Sequence, residues 1–124
     1  MRRAAGLVAQ TELPDVSELL LSVILMSDDE LLEINQSSLG HDFYTDIITF
    51  EIERSADALE AELYISVDRA RENAKRASVS MEHEMAHLVI HGVLHLTGYD
   101  DKAPKAKNQM RARERFYLAQ FPAF

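Results

Sequence analysis

From Leu19 to Met26 the chain is apolar at every position except Ser22. Ser22–Met26 is β-rich and reads as a buried strand, closed by the polar Ser27-Asp28-Asp29. Ser27 and Glu30 have the spacing of a capping box. A short helix carrying Leu31, Leu32 and Ile34 should therefore follow and fade near Ser37–Gly40. Between Asp46 and Glu53, Ile48, Phe50 and Ile52 alternate with Thr49, Glu51 and Glu53, a strand with one wetter face. A turn at Ser55–Ala58 leads into a second strand beside it, Leu59–Ser66. Val67–Ala77 is helical in composition. The longest element runs from Ser80 to about Thr97, an apolar-rich helix that Gly98 ends. Pro104 suits the first turn of a last helix reaching about Gln120. Residues 1–15, closed by Pro14, show no clear pattern. Three strands and four helices, segregated rather than alternating, predict an α+β fold. The expected form is a mixed sheet of three to four strands packed with helices, around a central histidine-bearing helix.

Composition narrows this picture without altering it. A chain of 124 residues is sized for a single domain, 1–124, with one core. Apolar residues at 47% and charged residues at 27% exclude disordered and fibrous classes. The absence of cysteine excludes a disulfide scaffold, a zinc ribbon and a thiol nucleophile together. The longest apolar run is too short for a bilayer, and no signal-peptide pattern precedes it, so a soluble cytoplasmic protein without a membrane partner is expected. The net charge of −8 first argues against nucleic acid, because phosphate contacts need Lys and Arg. The charges are segregated, however. Residues 1–66 hold three basic and fourteen acidic side chains, whereas residues 67–124 hold ten basic and seven acidic. Arg69, Arg71, Lys75 and Arg76 lie on one predicted helix, and six further cations from Lys102 to Arg115 follow the longest one.

Four histidines stand at 83, 87, 91 and 95. Side chains at i and i+4 share a helix face and can grip one metal ion. The ladder drifts by about 40° per step, so only one adjacent pair can share an ion. His83-Glu84-Met85-Ala86-His87 matches H-E-x-x-H, in which the glutamate is the general base of a metalloprotease. His91-Gly92-Val93-Leu94-His95 has the same spacing, with glycine at the glutamate position. Gly98 stands three residues past His95, and Asp101 three beyond that. This is the H-x-x-x-H-x-x-G-x-x-(H/D) arrangement, in which a sharp turn brings a third ligand back to the pair. The first register has Ile90 at the glycine position, so the second register is preferred, with His91, His95 and Asp101 as ligands. Two imidazoles and a carboxylate suit Zn²⁺ with one position open for chemistry. Gly92 in place of a base counts against peptide cleavage.

The stretch HGVLHLTGYDD, His91–Asp101, closely resembles H-G-x-L-H-L-x-G-Y-D-H, the signature of the YbeY family of rRNA-maturation endoribonucleases. Asp42–Phe50 resembles that family's D-x-x-T-D-V-L-S-F block, Asn35 fits its upstream asparagine, and Leu63–Ser66 looks like its next strand. Together these cover roughly residues 22–118, after an abbreviated N-terminal segment at 1–21. The resemblance implies a compact α+β zinc protein that cuts single-stranded RNA. Its expected role is in maturation of the 16S rRNA 3′ end and in ribosome quality control. Carried over by position, the ligands are again His91, His95 and Asp101, with Asp100 as the rival third ligand. Histidine is usual in the family where Asp101 stands. Leu39 occupies a segment that usually holds an arginine, and Ala61-Glu62-Leu63 replaces Gly-Asp-Ile.

The reading is a metal-dependent endoribonuclease holding one Zn²⁺. Its expected partners are single-stranded rRNA and the ribosome or a ribosomal protein, and no DNA. No side chain is assigned as general base, so that role falls to water on the metal. Arg69, Lys75 and Lys102 are the candidate substrate-binding cations. Tyr44 and Tyr99 are candidates for stacking on bases, and Phe43 and Phe50 are read as core. Two alternatives stand beside this one. The first is a protease-type metallohydrolase using His83, Glu84 and His87. The second is a non-catalytic, zinc-stabilised, ribosome-associated factor.

Overall fold

The computed structural model describes residues 2–120. The elements run α1 (Arg2–Glu12), β1 (Glu18–Met26), α2 (Asp28–Leu39), β2 (Ile47–Arg54), β3 (Ala58–Ser66), α3 (Val67–Ala77), α4 (Met81–Leu96) and α5 (Pro104–Leu118). The α+β class expected from the sequence is what the chain adopts. None of these helices is long and apolar enough to cross a membrane.

The sheet has the order β1-β3-β2, with β1 parallel and β2 antiparallel to β3. The alternation read over Asp46–Glu53 holds in β2 only at Ile48, which is buried, while Phe50 is half-buried and Ile52 exposed. It is β3 in which burial alternates. Leu59, Ala61, Leu63 and Ile65 are buried, and the residues between them are half-buried. Fully burying one such aliphatic side chain contributes roughly 1.5–3 kcal/mol. Between Glu51 and Glu53 the β2–β3 register slips by one residue. Ile52, the extra residue, is left 51% exposed.

Helix α4 lies against the sheet and forms the centre of the core. Leu88, Val89, Ile90, Val93 and Leu94 on it are buried with Leu63 and Ile65 of β3. Gly92 permits this contact. A Cβ there would stand 2.7 Å from Leu63 Cδ2, closer than side chains pack, and 3.2 Å from Ile47 Cδ1, a tight contact. The glycine that replaces the glutamate of H-E-x-x-H is thus a packing requirement of this helix.

Two sequence expectations change. Residues 2–12, read as unpatterned, form α1, because Ala4, Ala5, Val8 and Ala9 make a narrow stripe buried in the core. Alanines register weakly in a hydrophobic pattern, although they are the strongest helix formers and allow close approach. Among the described residues the helix count is accordingly five. Strand β1 also begins at Glu18, four residues earlier than expected, paired with Ala58 of β3. The capping box holds in full. Glu30 N–H donates to Ser27 Oγ at 3.2 Å, and Ser27 N–H donates to Glu30 Oε1 at 3.1 Å.

Candidate metal centre

The second half of α4 presents His91 and His95 on one face, ring centroids 4.7 Å apart. After Thr97 the chain reverses through Gly98 at φ +106°, a left-handed conformation that favours glycine. The Tyr99 N–H then bonds back to Leu94 O at 3.2 Å. This reversal returns Asp101 to the helix. Its carboxylate Oδ2 lies 3.7 Å from His91 Nε2. Among the described residues, the ligand atoms of His91, His95 and Asp101 all lie within 4.8 Å of one another. Asp100 points elsewhere. It accepts the Lys102 N–H at 3.1 Å and lines a separate pocket with Glu12 and Tyr99.

The protonation pattern suits a cation. Glu114 of α5, 7% exposed, accepts from His91 Nδ1 at 2.6 Å. A proton held on Nδ1 leaves the Nε2 lone pair facing Asp101. Burial, and then the neighbouring His91, push the His95 imidazole below its ordinary value, which keeps it neutral and able to donate its lone pair. Asp101 adds an anionic oxygen, and its side chain is 44% exposed, so the group opens to solvent on that side. Two imidazoles and one carboxylate form a donor set for a divalent ion. The residues fit a metal.

The first register is used differently. His87 shares one ring nitrogen with Glu114 Oε1 at 2.6 Å and the other with Glu84 Oε1 at 3.3 Å. Glu84 is itself buried and accepts from Asn73 Nδ2 at 3.3 Å, and the same amide reaches Asp46 at 3.1 Å. Hydrogen bonds to Glu114, and then to Glu84, push the His87 imidazole up to about 10. Burial opposes the charge on Glu114, but bonds from His87 and His91 outweigh it and pull the carboxyl down to about 2. His87 is therefore an imidazolium clamped between two carboxylates, with no lone pair for a metal. Its partner Glu114 braces His91. Sequence reading missed Glu114, Asn73 and Asp46 as parts of this network. One signal was present, since Glu114 is the only acid on an otherwise basic or neutral α5.

The His91–Asp101 group stands between two open clefts, each of about 550 Å³. Arg76, Lys107 and Arg111 line the first, above Glu84 and His87. Lys102, Leu39, His41 and Phe43 line the second. Of the three candidate substrate cations, Lys102 lines one of these two clefts and Arg69 and Lys75 line neither. Arg69 instead bonds Asp28 at 3.1 Å and lies 5.2 Å from the Tyr44 ring. Lys75 is exposed on the last turn of α3, outside both cleft linings. Tyr44 is engaged by Asp29 at 2.9 Å, and Tyr99 packs against the core. Phe43, read as core, is 56% exposed. Leu39 brings an uncharged side chain to the second cleft.

Comparison with known proteins follows the same outline. The family model for Endoribonuclease YbeY matches residues 3–122. The Endoribonuclease YbeY of Cytophaga hutchinsonii is 44% identical over 94 residues, covering 76% of this chain and 66% of the relative. That of Phocaeicola vulgatus is 41% identical over 99 residues, covering 80% and 71%. That of Chloroherpeton thalassium is 39% identical over 119 residues, covering 96% and 82%. The chain thus spans about two thirds of the first relative's length. The solution structure of TM1509 from Thermotoga maritima superposes with a TM-score of 0.62 at 32% identity, covering 94% of this chain and 75% of that one.

Proposed function

The chain belongs to the YbeY endoribonuclease family, and from that premise we propose that it is a zinc-dependent hydrolase cutting phosphodiester bonds in single-stranded RNA. Its place is then the maturation of the 16S rRNA 3′ end and ribosome quality control in the cytoplasm, beside the ribosome, with residues 1–124 acting as one catalytic domain. One observation carries this reading: His91, His95 and Asp101 close to within 4.8 Å at the junction of two clefts. Zinc suits the donor set, since imidazole and carboxylate with a position left open are its catalytic ligands.

His91, His95 and Asp101 would hold the ion, which when bound would supply Lewis acidity toward a phosphoryl oxygen and toward water. Glu114 keeps the Nδ1 proton on His91 and so fixes the ring's orientation. The His87 imidazolium in turn holds Glu114 in place as a carboxylate. Lys102 on one side, and Arg76, Lys107 and Arg111 on the other, offer charge to the phosphates flanking the scissile bond. No side chain in the cleft is assigned as general base.

The test is metal analysis and single-stranded RNA cleavage for wild type and His95→Ala. About one ion per wild-type chain, with metal and cleavage lost together in the variant, is the expected result. Cleavage at the wild-type rate by metal-free His95→Ala overturns the assignment.

A further inference from the structure

The second cleft holds more than a cation. Along its wall the rings of His41 and Phe43 stack, with centroids 5.1 Å apart and planes inclined by 18°. The Phe43 ring is left 56% exposed on this wall. The pair is also held firmly. Gly40, at φ +67°, turns the chain off the end of α2. His41 N–H then bonds Asn35 O at 3.1 Å, and the buried Asn35 amide donates to Phe43 O at 2.9 Å. The Gln36 and Asp42 side chains bond to each other across the same turn. The segment is thus pinned from both sides to the last turns of α2. His41 and Phe43 share the cleft lining with His91, His95, Asp101 and Lys102.

We propose that the stacked His41–Phe43 pair is a nucleobase platform, seating one unpaired base of the RNA beside the phosphate that the metal group engages. The inference rests on the RNA reading above. Two near-parallel rings with one still open to solvent present the surface on which a third planar ring stacks. Lys102, in the same cleft, meets the phosphate of that nucleotide, while Leu39 adds apolar wall for the base or sugar. Every base has a π-face, so the platform tolerates any sequence. It does not tolerate pairing, because bases within a duplex are already stacked and present only their edges. Preference for single strands then arises at Phe43, apart from the chemistry at the metal.

The experiment compares wild type, Phe43→Ala and Phe43→Tyr, all fully zinc-loaded, on a short single-stranded RNA carrying 2-aminopurine. The expected results are quenching of the probe by wild type and Phe43→Tyr, loss of that quenching in Phe43→Ala, and a KM in Phe43→Ala raised roughly tenfold or more. Zinc affinity should be equal in all three. Unchanged KM and quenching in Phe43→Ala, with wild type still cutting the RNA, overturn the platform and leave the RNA reading standing. A fall in zinc affinity that accounts for the lost binding also overturns it. A zinc-loaded wild type that neither binds nor cuts the RNA overturns both.

Discussion

Glu114 shows how one carboxylate organises a site to which it contributes no ligand. Its two oxygens accept from His87 and His91 at 2.6 Å each, in a position 7% exposed. Bonds to a charged group in such a setting are about twice as strong as neutral ones. They also decide which nitrogen of His91 is left for a metal. Replacing Glu114 with glutamine preserves shape but turns one acceptor into a donor, so one of the two histidines must accept where it donated and both lose the charged partner. Outer-sphere partners of this kind are worth ~10–100-fold in metal affinity. Glu114→Gln should therefore weaken zinc binding by about one to two orders of magnitude, measured by chelator competition, while the three ligands stay in place. Unchanged affinity would show that the 2.6 Å bond to His91 is incidental.

At the scale of elements, the contact between α4 and the sheet is close enough to constrain the residue at position 92. Alanine at position 92 would gain about 1 kcal/mol in helix propensity. Its Cβ would meet Leu63, a fully buried side chain, at 2.7 Å, and overpacking of that kind costs ~1–3 kcal/mol. A net loss of about 1 kcal/mol is expected for Gly92→Ala in denaturant unfolding. Leu63→Val removes both Cδ atoms and leaves only the milder contact with Ile47, so the penalty should shrink in the double variant, a coupling that distant sites do not show. An independent, additive pair would rule this out. The same element marks how much could be read without coordinates. The capping box at Ser27, the helix α3 from Val67 to Ala77, and the convergence of His91, His95 and Asp101 all depend on spacings within a few residues, which a linear reading captures. Helix α1 escaped because its buried stripe is built from Ala4, Ala5 and Ala9 with one Val8, and its value lies in what it packs against. Glu114 escaped for the same reason, being joined to His91 only through tertiary structure. Phe43, read as core, is exposed because hydrophobicity alone cannot tell a core ring from one left at the surface of a cleft.

Across the whole molecule, the net charge of −8 and its segregation pull in opposite directions. Long-range repulsion of RNA is screened beyond roughly 10 Å at ordinary salt, so under the proposed function binding would be decided by the cations that border the clefts. Those are Arg76, Lys107 and Arg111 on one side and Lys102 on the other. Arg76 already pairs with Glu72 at 2.8 Å, and Arg71 and Lys75 are exposed on α3 outside both clefts. Each phosphate contact to a single strand adds about 0.7 to the slope of log K against log salt. Replacing Lys107 and Arg111 with glutamine should therefore flatten that slope by about 1.4. The same double change at Arg71 and Lys75 alters net charge equally and should leave the slope as it is. Affinity titrations of a single-stranded RNA across a salt series distinguish the two. If both pairs flatten the slope alike, RNA is held by the overall field of the basic half; if only the first does, the strand follows the cleft past the metal group.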